Sequence, residues 1–229
     1  MKKPKHKNPS FNDFIKELRK SDVTEPKPIS RIPERKYFLI VCEGERTEPL
    51  YFNYFKKFLP NNFIETVEVI GEGDNTINIV NKAIELRDAR IRDVLKPNFD
   101  EVWAVYDKDD FPSYRFNRAV QLARINRIHS GHSNQSFELW YILHFQFLQT
   151  ALHRDDYKGI LTQNLGFRYG KNDLGVVEYL FRECNVKRAI KWAKKLEEMN
   201  GDLSPAKACP STTVYKLVDK LDEYCRHNA

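Results

Sequence analysis

Tyr37-Phe-Leu-Ile-Val-Cys42 runs straight into Glu43-Gly44, and Glu101-Val-Trp-Ala-Val-Tyr106 runs straight into Asp107-Lys108-Asp109-Asp110. Both runs are β-branched or aromatic, too short for a typical helix, and closed by residues that suit turns, so both read as strands. In parallel α/β sheets, side chains just past the carboxyl ends of strands converge on one crevice. If these two strands are neighbours, Glu43, Asp107 and Asp109 face one another there. Like charges about 4 Å apart repel by roughly 4 kcal/mol at an effective dielectric of about 20, so protons or a cation must neutralise such a set. Hard oxygen donors favour Mg²⁺ or Mn²⁺.

Composition sets the frame around those strands. A chain of 229 residues, 41% hydrophobic and 13% aromatic, suits one sizeable soluble domain with at most a small appendage. No apolar run approaches the length that spans a bilayer, and the basic start lacks the apolar stretch of a secretory signal. The cysteines at 42, 184, 209 and 225 are scattered without a Cys-x-x-Cys pair. That argues against a zinc knuckle or disulfide framework and for a reduced, cytoplasmic protein with no membrane partner. The net charge of +6 sits in the first 36 residues, which hold 11 Lys/Arg against 5 Asp/Glu. Such a basic arm on a neutral body attracts a nucleic-acid backbone, DNA or RNA alike, and equally serves as a solubilising tail.

Residues 1–35 therefore read as a partly disordered arm with one weak helix at 12–20 and a Pro-rich linker. Beyond it, the pattern predicts a helix over 47–57, a strand over 63–70, an amphipathic helix over 76–95 and the Asp107 strand. Ile79, Val80, Ala83, Ile84 and Ala89 are assigned to the inner side of the long helix. A helix over 116–125 and a short strand over 126–129 follow. Strand and helix in alternation predict an α/β fold: a mostly parallel central sheet flanked by helices over 36–147. Residues 148–229 read as a helical C-terminal extension packed on it. A helix over 137–148 precedes this extension, which contains one helix over 175–199 and one over 211–227.

Several side chains are placed around the acidic set. Alternate positions of an extended segment point one way, so Asp107 and Asp109 are expected to share one ion. Gly44 leaves the backbone open to a phosphate. Glu138 heads an apolar run where burial is costly unless the carboxylate is paired or metal-bound, and Ser136 and Asn134 stand ready to orient waters or a phosphate oxygen beside it. The His129-Ser-Gly-His132 pair has no third ligand at fixed spacing and is not read as zinc-binding. No Gly-x-x-x-x-Gly-Lys-Ser/Thr occurs, so ATP hydrolysis by this chain is not expected.

In order and context, Glu43-Gly44 and Asp107-Lys108-Asp109 resemble the signature of the Toprim fold of topoisomerases, primases and certain nucleases. More narrowly, Val41-Cys-Glu-Gly-Glu-Arg-Thr-Glu48 with Tyr51-Phe52, Val102-Trp-Ala-Val-Tyr-Asp107, Ser133-Asn-Gln-Ser-Phe-Glu-Leu-Trp140 and Pro210-Ser-Thr-Thr-Val214 are similar to RloB-type proteins. That resemblance covers roughly 37–222. It implies a place in restriction or phage-defence loci beside a separate ABC/SMC-type ATPase. Related OLD-type Toprim nucleases carry a Ser-x-Glu motif, matched by Ser136-Phe-Glu138, and a downstream lysine, for which Lys171 is the candidate. They often carry a second glutamate four residues after the first. Thr47 stands there, so Glu48 or Glu45 is the candidate substitute.

The combined expectation is a Mg²⁺- or Mn²⁺-dependent phosphodiesterase acting on DNA or tRNA/RNA. Glu43, Asp107 and Asp109 would be catalytic, with Glu138 joining them as metal ligand and Gly44, Glu48, Asn134, Ser136 and Lys171 in support. The alternative is a non-catalytic defence adaptor that binds nucleic acid or the ATPase through the same scaffold. Topoisomerase and primase chemistry need modules that a chain of this length lacks.

Overall fold

The computed structural model describes residues 36–59, 67–71 and 75–226. The basic arm with its expected helix, the beginning of the strand expected from Phe63 and the end of the last expected helix lie outside these residues. Strand β1 (Phe38–Cys42) pairs in parallel with both β2 (Val67–Gly71) and β3 (Glu101–Asp107). β4 (His129–Asn134) adds in parallel to β3, and the two-residue β5 (Ser211–Thr212) adds antiparallel, giving the order β2-β1-β3-β4-β5. The two strands that open the sequence reading are therefore neighbours, with Cys42 opposite Val105.

Helices connect the parallel strands: α1 (Thr47–Phe55) with a short 3-10 turn, α2 (Thr76–Arg92) and α3 (Ser113–Ile125). After β4 come α4 (Glu138–Ile142), α5 (Arg154–Leu165), α6 (Leu174–Glu183), α7 (Val186–Asn200) and, past β5, α8 (Val214–Arg226). The sheet is buried on both faces, which explains why its central strands are apolar without alternation. Leu39, Val41, Ala104 and Tyr106 pack with Ile79, Val80 and Ala83 of α2 and Phe116 and Ala119 of α3. Phe38, Ile40, Trp103 and Val105 pack on the other face with α1, α4 and the C-terminal helices. No helix among the described residues is long and apolar enough to cross a membrane.

Several local expectations are corrected. Ala89 is exposed, because the inner side of α2 passes from Ala83 to Leu86 and Arg90, whose guanidinium lies 4.0 Å from the Phe99 ring centroid. The fourth strand starts at His129, where the expected one ends, and runs through His-Ser-Gly-His-Ser-Asn. Nothing in that polar run signals a strand, but its hydroxyls and imidazole find partners: Ser133 with Thr212 Oγ1 on β5 at 3.0 Å, and His132 Nδ1 with Ser130 Oγ along the same strand at 2.9 Å. His129 and His132 fall on opposite faces, one stacked on Trp103 and the other on Tyr106.

The helix expected over 137–148 is only α4, after which the chain turns and the His144 carbonyl accepts from Arg188. The helix expected over 175–199 is two helices. Asn185 breaks it by capping α7, its side chain accepting from Lys187 N at 2.9 Å and Arg188 N at 3.4 Å. The segment after residue 147 also supplies β5, and the described residues from Lys36 onward belong to one compact unit.

Candidate active site

The carboxyl ends of β1 and β3 open into a cleft of about 630 Å³ whose lining includes Glu43, Gly44, Glu48, Asp107, Asp109, Glu138 and Lys171. Parallel pairing puts these residues together. Glu43 N donates to Val105 O at 2.8 Å, continuing the β1–β3 ladder, and Asp107 N donates back to Glu43 Oε2 at 2.8 Å. Asp107 Oδ2 accepts from the Phe137 amide at 2.9 Å at the start of α4. That bond draws the β4–α4 connection, and with it Glu138, to the same place. Asp107 Oδ1 is buried without a hydrogen-bond partner among the described residues.

Burial raises the Asp107 pKa well above the ordinary carboxylate range, reinforced by the charges of Glu48, Glu43, Asp109 and Glu138. Glu48 is pushed up to about 7, first by burial and further by Glu138, against the lowering effect of backbone hydrogen bonds. For Lys171, burial acts to lower the pKa, but the facing Glu138 carboxylate outweighs it and the ammonium is held above its usual value. Lys171 Nζ stands 3.4 Å from Glu138 Oε1, and the Tyr169 hydroxyl donates to the same oxygen at 3.1 Å.

The structure brings together most of the residues singled out from sequence and separates some. Asp109 lies beyond the end of β3 in a turn with φ of 44°, not on an extended segment with Asp107. Its carboxylate pairs with Arg154 while its amide donates to Gln135 O at 2.9 Å. Glu48, not the exposed Glu45, is the buried second glutamate of the Glu43 segment. Gly44 also leaves room for a neighbouring side chain. A Cβ there would lie 2.9 Å from Glu48 Cδ and closer still to Oε2, so the missing side chain is space that the Glu48 carboxylate fills.

Asn134 is spent elsewhere: its Nδ2 donates to the carbonyls of Pro205 and Ala206 at 3.1 and 3.0 Å. Ser136 is buried behind Glu138, facing a smaller cavity that Arg154, Tyr169 and Lys171 also line. Arg154 and Tyr169 were missed in the sequence. Neither belongs to a motif, and only the packing of the segment after α4 carries them to the acidic cleft. Thr47 also contributes, its hydroxyl donating to Asn172 Oδ1 at 2.8 Å across the cleft.

In kind and charge, the donor set fits a hard divalent cation: several carboxylates, raised pKa values and one orphaned buried oxygen at Asp107. It is not a closed coordination shell, for no group of three or more such side chains among the described residues is arranged to hold a metal ion as it stands.

No curated protein and no solved structure matches the sequence. The family model of RloB-like proteins matches residues 38–221, from the first residue of β1 to within α8 and including every cleft residue named above. With most of its length inside that match, the chain belongs to the RloB-like family.

Proposed function

We propose that the chain is a divalent-metal-dependent phosphodiesterase that cuts nucleic acid as the effector of a phage-defence system. The observation that carries this reading is Asp107, a buried carboxylate with one oxygen fixed by the Phe137 amide and the other left without a partner at the centre of the acidic cleft. A scaffold with no chemistry to perform gains nothing from that arrangement, which costs folding stability.

In this reading Asp107, Glu48 and Glu138 would hold Mg²⁺ or Mn²⁺. The bound ion supplies charge screening for the phosphate and makes a bound water more acidic. The chain's own residues do the rest. Glu43, oriented by the Asp107 amide, accepts or returns the proton of the attacking water. Lys171 offers the cleft a positive charge for a phosphate oxygen, and Tyr169 keeps the Glu138 carboxylate turned toward it. Asp109 lines the cleft from its turn and is positioned by Arg154. A separate ABC/SMC-type ATPase acting as controller of the nuclease is part of the same proposal, drawn from the family resemblance.

Purified protein and its Asp107→Asn variant are incubated with plasmid, single-stranded DNA and bulk tRNA in Mg²⁺ or Mn²⁺, with and without an ABC/SMC-type ATPase as candidate partner. Metal-dependent cleavage lost in Asp107→Asn is the expected result. Absence of cleavage under every condition would favour the adaptor reading, and undiminished cleavage by the variant would remove Asp107 from the chemistry.

A further inference from the structure

A second concavity of about 340 Å³ adjoins the acidic cleft and shares Asn75 and Phe111 with it. Its other walls include Asn78 of α2 and Tyr114, Arg115 and Arg118 of α3. The surroundings differ sharply in charge from the cleft. No Asp or Glu occurs from Phe111 to Phe137, although the chain contains 32 of them, and the same stretch carries Arg115, Arg118, Arg124 and Arg127. Tyr114 is 65% exposed, so its ring face is open to a stacking partner. Arg115 Nε reaches only the Tyr114 hydroxyl at 3.3 Å, and Arg118 makes no ion pair among the described residues. An exposed ring beside two guanidinium groups with no carboxylate partner among the described residues, continuous with the cleft, suits an anionic, ring-bearing ligand.

We infer that this concavity is the track for a single-stranded nucleic acid leading into the cleft, with Arg115 and Arg118 on its phosphates and Tyr114 stacked on a base. Charge complementarity calls for phosphate. The exposed ring selects single strand over duplex, because a duplex keeps its base faces stacked inside and offers the protein only backbone and groove edges. The acidic cleft would repel a polyanion by itself, so an arginine-bearing approach beside it also gives the strand a direction of entry. The inference deepens the phosphodiesterase reading by naming its substrate class. It is tested by binding in the presence of EDTA, where a failure of the cleavage chemistry leaves the measurement intact.

Fluorescence anisotropy of a labelled single strand of about 20 nucleotides is followed with the full chain across a salt series. Arg115→Ala/Arg118→Ala should weaken binding and reduce the slope of log K against log salt by about 1.4, the value for two phosphate contacts on a single strand. Tyr114→Ala should weaken binding about tenfold, and Tyr114→Phe should retain it. All three side chains are exposed, so thermal melting should show the variants folded. An unchanged affinity and slope in the folded double variant would overturn the track. Undiminished binding by Tyr114→Ala would overturn the stacking. An unlabelled duplex that competes as well as the single strand would overturn the choice of substrate class.

Discussion

The main-chain amide of Asp107 donates to Glu43 Oε2 at 2.8 Å, so the residue that ends β3 orients the residue that follows β1. The bond exists because the strands are parallel neighbours with their carboxyl ends level, Cys42 lying opposite Val105. Glu43 is thus held by backbone, and its direction does not depend on which residue stands at 107. For this reason Asp107→Asn tests chemistry without dislodging Glu43.

Gly44 in the cleft and Gly71 at the end of β2 should separate activity from stability. At Gly44 a Cβ meets the Glu48 carboxylate, the movable end of a side chain, so Gly44→Ala should displace Glu48 and reduce cleavage while the melting temperature changes little. At Gly71 a Cβ would lie 2.7 Å from Gly44 O and 2.9 Å from Glu45 Cα, and neither backbone atom can yield cheaply. Gly71→Ala should cost about 1–3 kcal/mol in denaturant unfolding.

Tyr169→Phe removes the hydroxyl that donates to the buried Glu138 carboxylate. A lost hydrogen bond to a charged group predicts about 1.5–3 kcal/mol of destabilisation by chemical denaturation. Lys171 is largely exposed on its side-chain surface, so Lys171→Ala should leave unfolding nearly unchanged and act on turnover.

Arg154 pairs with Asp109 at the protein surface, where such contacts are worth at most about 1 kcal/mol. Arg154→Ala should therefore leave the melting curve within that margin. Cleavage should fall several-fold as Asp109 loses its position, with partial recovery in Arg154→Lys.

Away from the cleft, burial holds the pKa of both His132 and His144 down to about 4. The unfolded chain takes up these protons near pH 6.5, and the folded chain only near pH 4. Their contribution to stability is complete above 6.5 and lost as pH falls through that window, up to about 3 kcal/mol for each group. Melting temperatures recorded from pH 7 to 4 should decline accordingly, and His132→Gln should show a shallower decline. Lys216 and Glu197 are the charged groups that face His132, and their opposing effects are smaller than that of burial.

Strands β1 and β3 were legible because a core buried on both faces demands uninterrupted apolar residues, and a run such as Phe38-Leu-Ile-Val-Cys42 has no other economical use. Helix α2 was legible by its period, but not to its last turn, where Arg90 covers Phe99 in place of an apolar contact. β4 was not legible. Its six residues, His-Ser-Gly-His-Ser-Asn, satisfy their polar groups with Tyr106, Thr212 and Thr213, distant in the chain. The long apolar run from Phe137 reads as one helix because hydrophobicity reports burial and not the direction of the chain. Only the capture of the His144 carbonyl by Arg188 shows where it turns.

The sequence by itself determined the α/β alternation, the acidic residues at the carboxyl ends of β1 and β3 and the family to which the chain belongs, since each rests on short-range pattern; that β1 and β3 are neighbours, so that Glu43 meets Asp107, came from the sheet order. The tertiary structure alone decided that Glu48 occupies the space above Gly44, that Asp109 turns away to Arg154, and that Asn134 holds residues 205 and 206. The physical reason is common to all three. A carboxylate or amide takes its direction from the donor or acceptor that satisfies it, and here those partners are set by packing that no local pattern encodes.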